Sequence, residues 1–99
     1  MVPAKLVERI ANELDLTKEE LIEESLKSEL RRRLAAYKYT DHLMASKYKM
    51  SFKQFEKKNI VKKKKFSFEV EEDYHNWDQA IDGIKALEKD LKMLEDNQV

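Results

Sequence analysis

The chain has no cysteine, one glycine (Gly83), one proline (Pro3) and two histidines among its 99 residues. Without cysteine it forms neither a disulfide nor a thiolate metal site, which fits a cytoplasmic protein. A single glycine cannot build a glycine-rich phosphate loop. With so few chain breakers, frequent tight turns are disfavoured and long helices are favoured over an all-β fold. No apolar run approaches a membrane span, and no signal peptide is visible. His42 and His75 are the only histidines, and no Ser–His–Asp constellation is evident around them. The expectation is therefore a non-enzymatic protein with no cofactor, no metal and no membrane association.

Charge and apolar spacing are present instead. Charged residues make up 40% of the chain and hydrophobic ones 41%, a share too large and too regularly spaced for a disordered chain. The net charge of zero conceals segregation. Residues 1–50 carry 10 basic and 9 acidic groups, residues 51–65 carry 7 and 1, and residues 66–99 carry 3 and 10. A basic block beside an acidic one suggests pairing within a dimer or two different partners. A chain of this length makes a single domain that buries only part of its surface, so self-association would help stabilise it.

The hydrophobic period supports an all-α chain. Pro3 suits a first helical turn, and Leu6, Val7, Ile10 and Leu14 then share a face, giving a short helix over about 3–14. Asp15-Leu16 connects it to a capping box, Thr17 with Glu20, which opens a long second helix. Its apolar positions run from Leu21 through Leu26, Leu30, Leu34 and Tyr37 to Met44. Unbroken to about residue 47 it spans roughly 45 Å, long for a compact domain of this size. A kink near Tyr39-Thr40-Asp41, with Thr40 capping a new start, is one alternative; projection into a partner is the other. Ser51 with Gln54 makes a second capping box before a short third helix, for which Asn59 is a plausible stop. Phe66, Phe68 and Val70 alternate with polar residues, so 66–70 could be a short strand, but a connector followed by a helix from about 69 to 95 is favoured. In that last helix Val70, Tyr74, Trp77, Ile81 and Ile84 follow at spacings of 4, 3, 4 and 3, a heptad-like seam. Gly83 costs about 1 kcal/mol there relative to Ala, and permits close approach of another helix.

This predicts one helical domain over 1–99: a helical hairpin over 1–50, a short helix and basic connector over 51–65, and an acidic amphipathic helix over 66–99. The two long helices should pack antiparallel, Leu26, Leu30, Leu34 and Tyr37 against Trp77, Ile81, Ile84 and Leu87, in a chain that forms a homodimer or higher oligomer. Phe52, Phe55, Tyr74 and Trp77, with Asp73 and Asp78 among them, are the candidate partner-binding residues, because aromatic side chains anchor interfaces as well as cores. Lys62, Lys63, Lys64 and Lys65 could hold a phosphate backbone electrostatically, or simply offset the acidic helix. His75, Asp78 and Asp82 fall near one helical face, a spacing that can ligate a metal but is as readily ordinary surface.

Residues 2–34, VPAKLVERIANELDLTKEELIEESLKSELRRRL, resemble the two helices of ribbon-helix-helix proteins and related small antitoxins. Only Met1 and Val2 precede Pro3, so the DNA-reading strand of that family is not expected. Residues 47–56, KYKMSFKQFE, with 70–78, VEEDYHNWD, are similar to a signature in short archaeal and bacterial proteins, some of which look like antitoxins. The shared elements are Tyr48, Met50, Ser51, Phe55, Glu56, Glu71, Asp73 and Trp77. The resemblance implies an antitoxin-like binding module that neutralises a co-encoded basic toxin. A nucleic-acid-binding protein and a purely structural helical oligomer are the alternatives.

Overall fold

A computed structural model describes residues 1–64 and 67–96. The described residues form five helices: α1 (Ala4–Glu13), α2 (Lys18–Tyr48), α3 (Phe52–Lys57), α4 (Ile60–Lys63) and α5 (Phe68–Asp96). The two long helices pack antiparallel as a hairpin and carry most of the fold. The register is fixed by contacts that run in opposite senses along the two chains. Lys38 meets Glu88 at 3.8 Å, Tyr37 lies over Gly83, Asp41 meets Trp77, and Lys47 reaches Asp73 and Glu69. The radius of gyration is 19.2 Å, against about 13 Å for a compact domain of this length, and the molecule measures 58 × 28 × 18 Å.

Local signals set most helix ends. Thr17 and Glu20 form the expected reciprocal capping box, at 3.0 and 3.2 Å, and Ser51 and Gln54 form the second, at 3.2 and 3.1 Å. Asp15, Lys49 and Asn59 adopt positive φ (58°, 56° and 52°) and turn the chain between helices in place of glycine. Asn59 ends α3 as its type suggests, but the chain then enters the short helix α4, so part of the basic connector is helical. At the start of α5 the Ser67 hydroxyl accepts from the Val70 amide at 3.3 Å. Phe68 and Val70 are helical, and no strand occurs among the described residues; Phe66 lies outside them.

The kink near residues 39–41 does not form. α2 is continuous for 31 residues, about 46 Å at 1.5 Å per residue. Thr40 caps nothing. Its hydroxyl donates to the Ala36 carbonyl at 3.3 Å, the usual back-bond of a mid-helix threonine. Asp41 is held by the Trp77 indole. A long helix needs no kink when a second long helix lies along it, as α5 does here.

The seam of α5 faces α2, with Val70, Trp77, Ala80 and Leu91 buried and Ile81, Ile84 and Leu87 half-buried. From α2, Leu30, Leu34 and Tyr37 are half-buried, whereas Leu26 is exposed. Gly83 supplies the close approach: a Cβ there would sit 2.9 Å from Cζ of Tyr37 and closer still to Cε2 and Cδ2. Arg32 and Arg33 both pair with Glu29 and hold its carboxyl down at about 2, so Arg31–Arg33 do not form one basic patch.

Candidate functional site

A cleft of about 510 Å³ lies where α2, α3 and α5 meet. Its position follows from the aromatic core beneath it. Phe52 and Phe55 project from one face of α3, three residues apart, into the angle between the C-terminal end of α2 and the N-terminal half of α5. Phe55 and Trp77 are completely buried (both 0% exposed) and stack with Phe52, Tyr48 and Tyr74 at ring-centre distances of 4.7–6.1 Å. Such rings add tilted and edge-on contacts to their area burial, each about 0.5–1.5 kcal/mol.

Among the described residues no buried side-chain nitrogen or oxygen lacks a hydrogen-bond partner. Trp77 Nε1 donates to Asp41 at 2.8 Å. Asp73, buried, accepts from the Tyr48 hydroxyl and from Lys47 Nζ, both at 2.6 Å, and Lys47 also meets Glu69 at 2.6 Å. The Tyr74 hydroxyl donates to Glu56 at 2.7 Å. These bonds shift the titrations. Burial, then donation to Asp73, pushes the Tyr48 phenol up to about 12. Donation to Glu56, then partial burial, does the same for Tyr74. The two carboxylates on Lys47 raise its ammonium above the usual lysine value.

Above this base, Phe52 and Ile81 floor the cleft, and Asp41, Glu56, Asp78 and Asp82 outnumber Lys53 and Lys85 along its walls. An acidic rim over an apolar floor can accept a basic group whose aliphatic stem reaches inward. Among the described residues no set of three or more His, Asp and Glu side chains could hold a metal ion. His75 packs edge-on against Tyr74, ring centres 5.9 Å apart.

The candidate partner-binding residues are brought together, but most face inward. Phe55 and Trp77 are fully buried in the chain's own core and Asp73 nearly so, whereas Phe52 keeps an edge exposed at the floor of the cleft. The reason is the α3 turn, which the sequence places next to α5 and which covers the aromatic seam intramolecularly. Tyr74 and Asp78 remain half-exposed. Lys62, Lys63 and Lys64 are exposed on and after α4, together with Lys53, Lys57 and Lys58 of α3 and its end; Lys65 lies outside the described residues. Among the described residues these lysines make no ion pair with the acidic helix, which pairs with Lys38 and Lys47 instead. Lys47, Asp41 and Glu56 belong to the site without having been singled out for it. Their hydrogen-bond partners lie 18 to 36 residues away along the chain, so no local spacing marks them.

No helix among the described residues is long and apolar enough to cross a membrane. Comparison with curated proteins and with solved structures finds no match. A family model matches residues 1–99, the whole chain, and the chain therefore belongs to the family described as the Uncharacterized protein MJ0235 family.

Proposed function

We propose that this chain is a non-catalytic protein-binding module and that its docking surface is the acidic cleft between α2, α3 and α5. The observation that carries the reading is the cleft's construction: four carboxylates and two lysines around an apolar floor, held in place by a fully buried tryptophan and phenylalanine. A surface fixed by such a core is preorganised and loses little entropy on binding. Its charge favours a basic partner, and charge of one sign speeds encounter and rejects acidic competitors. An antitoxin-like role, covering the basic surface of a co-encoded toxin in the cytoplasm, is the specific form that the resemblance of residues 47–56 and 70–78 suggests. The test is affinity capture by the intact chain from its native cells. A basic protein should be recovered, and Asp78→Lys with Asp82→Lys should weaken its capture at least about tenfold while helicity is unchanged. Capture indifferent to both substitutions would remove the cleft from the account.

A second reading draws on the exposed, unpaired lysines of α3 and α4. An elbow with six described lysines fits nonspecific contact with a phosphate backbone. It predicts binding to nucleic acid that falls steeply with salt. A flat salt response would eliminate it.

A further inference from the structure

The opposite end of the hairpin carries a different surface. Seven of the eleven large apolar side chains exposed among the described residues lie in the first 26 residues. Of these, Leu6 (42%) and Ile10 (39%) form an i, i+4 stripe on α1, and Ile22 (46%) and Leu26 (48%) form one on α2. α1 turns only Ala11 fully into the molecule, although a helix of ten residues has little stability without packing of its apolar face.

The α2 stripe floors two adjoining hollows of about 480 and 320 Å³ that share Ile22 and Leu26. Val7 and Ile10 of α1 wall one, and Leu94 of α5 walls the other, with Glu19 and Glu23 on the rim. Together they make one open apolar trough along α2. This face is distinct from the acidic cleft and independent of the function proposed for it.

We infer that the trough is the interface with a second copy of this chain, the α1 of each copy lying in the trough of the other about a two-fold axis. Area argues for a substantial interface. The accessible surface is 7873 Å², about 2,000 Å² more than a compact monomer of 11.8 kDa exposes. A standard interface needs roughly 800 Å² from each partner. Half-exposed aliphatic side chains at this end supply on the order of 500 Å² per copy, about 1,000 Å² for the pair, which is the lower bound of a specific interface before the charged flanks add to it.

Charge argues that the occupant is this same chain. Val7 and Ala11, one residue after Leu6 and Ile10, turn toward α2. Lys5 and Arg9, one residue before them, flank the stripe on its outer side. A partner α1 seated on Ile22 and Leu26 brings that basic flank to Glu19 on the rim, beside Glu23, which its own chain's Lys27 already pairs at 3.8 Å. The Arg9–Glu13 pair, at 3.4 Å and well exposed, gives way at little cost. The two-fold operation makes each contact twice and closes the assembly at two copies.

The experiment is sedimentation velocity with light scattering on the full chain, from about 1 to 200 µM, with circular dichroism on every variant. The intact protein should run at twice the 11.8 kDa chain mass, with a dissociation constant in the low micromolar range or below. Ile10→Lys should raise that constant at least about 100-fold with helicity retained. Arg9→Glu should raise it about fivefold, and Arg9→Glu with Glu19→Arg in the same chain should recover most of the loss. A monomer at every concentration would overturn the inference and leave the trough to another protein. A dimer indifferent to Ile10→Lys, or a charge swap that recovers nothing, would overturn it equally.

Discussion

At Gly83 the hairpin packs closely against Tyr37, and replacing the glycine by alanine separates two opposed effects. In an exposed helix Gly→Ala stabilises by about 1 kcal/mol through backbone entropy. Here the added Cβ would lie 2.9 Å from Cζ of Tyr37, and closer to two other ring carbons, where carbon atoms prefer about 3.5–4.0 Å. The ring must withdraw by about 1 Å, and Tyr37 is half-buried between the two long helices. Overpacking of that size costs about 1–3 kcal/mol. The net expectation is a loss of about 1 kcal/mol, or a fall of roughly 0.5–1 M in the urea midpoint. In a Tyr37→Ala background the obstacle is gone, and Gly83→Ala should instead gain about 1 kcal/mol. The sign reverses, and the cycle yields a coupling of about 2 kcal/mol. Equilibrium urea unfolding, followed by helical circular dichroism and by the fluorescence of Trp77 at one fixed protein concentration, reads all four corners. An equal gain from Gly83→Ala in both backgrounds would show that Tyr37 does not lie over Gly83, and the register of the hairpin would then be wrong.

Other consequences follow from the core and its edge. Trp77→Ala should cost about 3–5 kcal/mol by opening a cavity, and Trp77→Phe about 1–2 kcal/mol, chiefly by leaving Asp41 without its indole donor; thermal melts distinguish the two. The raised phenols of Tyr48 and Tyr74 stabilise the fold fully below the unfolded tyrosine value near 10, and that contribution is lost as pH rises through about 12. Phenolate absorbance should therefore remain incomplete at pH 11 while the helices persist. Complete ionisation by then in a folded protein would contradict the two hydroxyl bonds. Lys27 is buried and paired only with the partly exposed Glu23, at 3.8 Å. Lys27→Met should leave stability within about 1 kcal/mol of the parent or above it, and a loss of several kcal/mol would show that the ion pair holds the fold.

Much of the fold was legible because helices announce themselves locally. The Thr17–Glu20 and Ser51–Gln54 boxes gave two helix starts, and the spacing from Val70 to Ile84 identified the face that α5 turns inward. What stayed open in the sequence was decided where a long-range contact overrode a local cue. Thr40 and Asp41 look like a helix start, yet α5 lies alongside them and gives Asp41 an indole to accept from. The basic connector has no apolar period, so the single turn of α4 was hidden in a run of lysines.

The site was half legible for a related reason. Aromatic residues mark both cores and interfaces, and only the path of α3 decides which; here it buries Phe55 and Trp77 and leaves charge at the surface. The carboxylates of the cleft come from three helices, Asp41, Glu56 and Asp78 being separated by 15 and 22 residues, so no linear spacing could reveal them. The trough has the opposite history. The stripe of α1 was evident in the sequence, but its exposure is visible only once α1 is seen to rest on α2 by little more than Val7 and Ala11.

The claim that binding occurs in the acidic cleft is tested most directly by photo-crosslinking in native cells. A photoreactive residue is placed at Asp82, on the cleft wall, and separately at Lys62, on the exposed lysine elbow. The account predicts that the probe at Asp82 captures a basic protein, and that adding Asp78→Lys abolishes the adduct. Adducts to nucleic acid at Lys62, with none at Asp82, would contradict it.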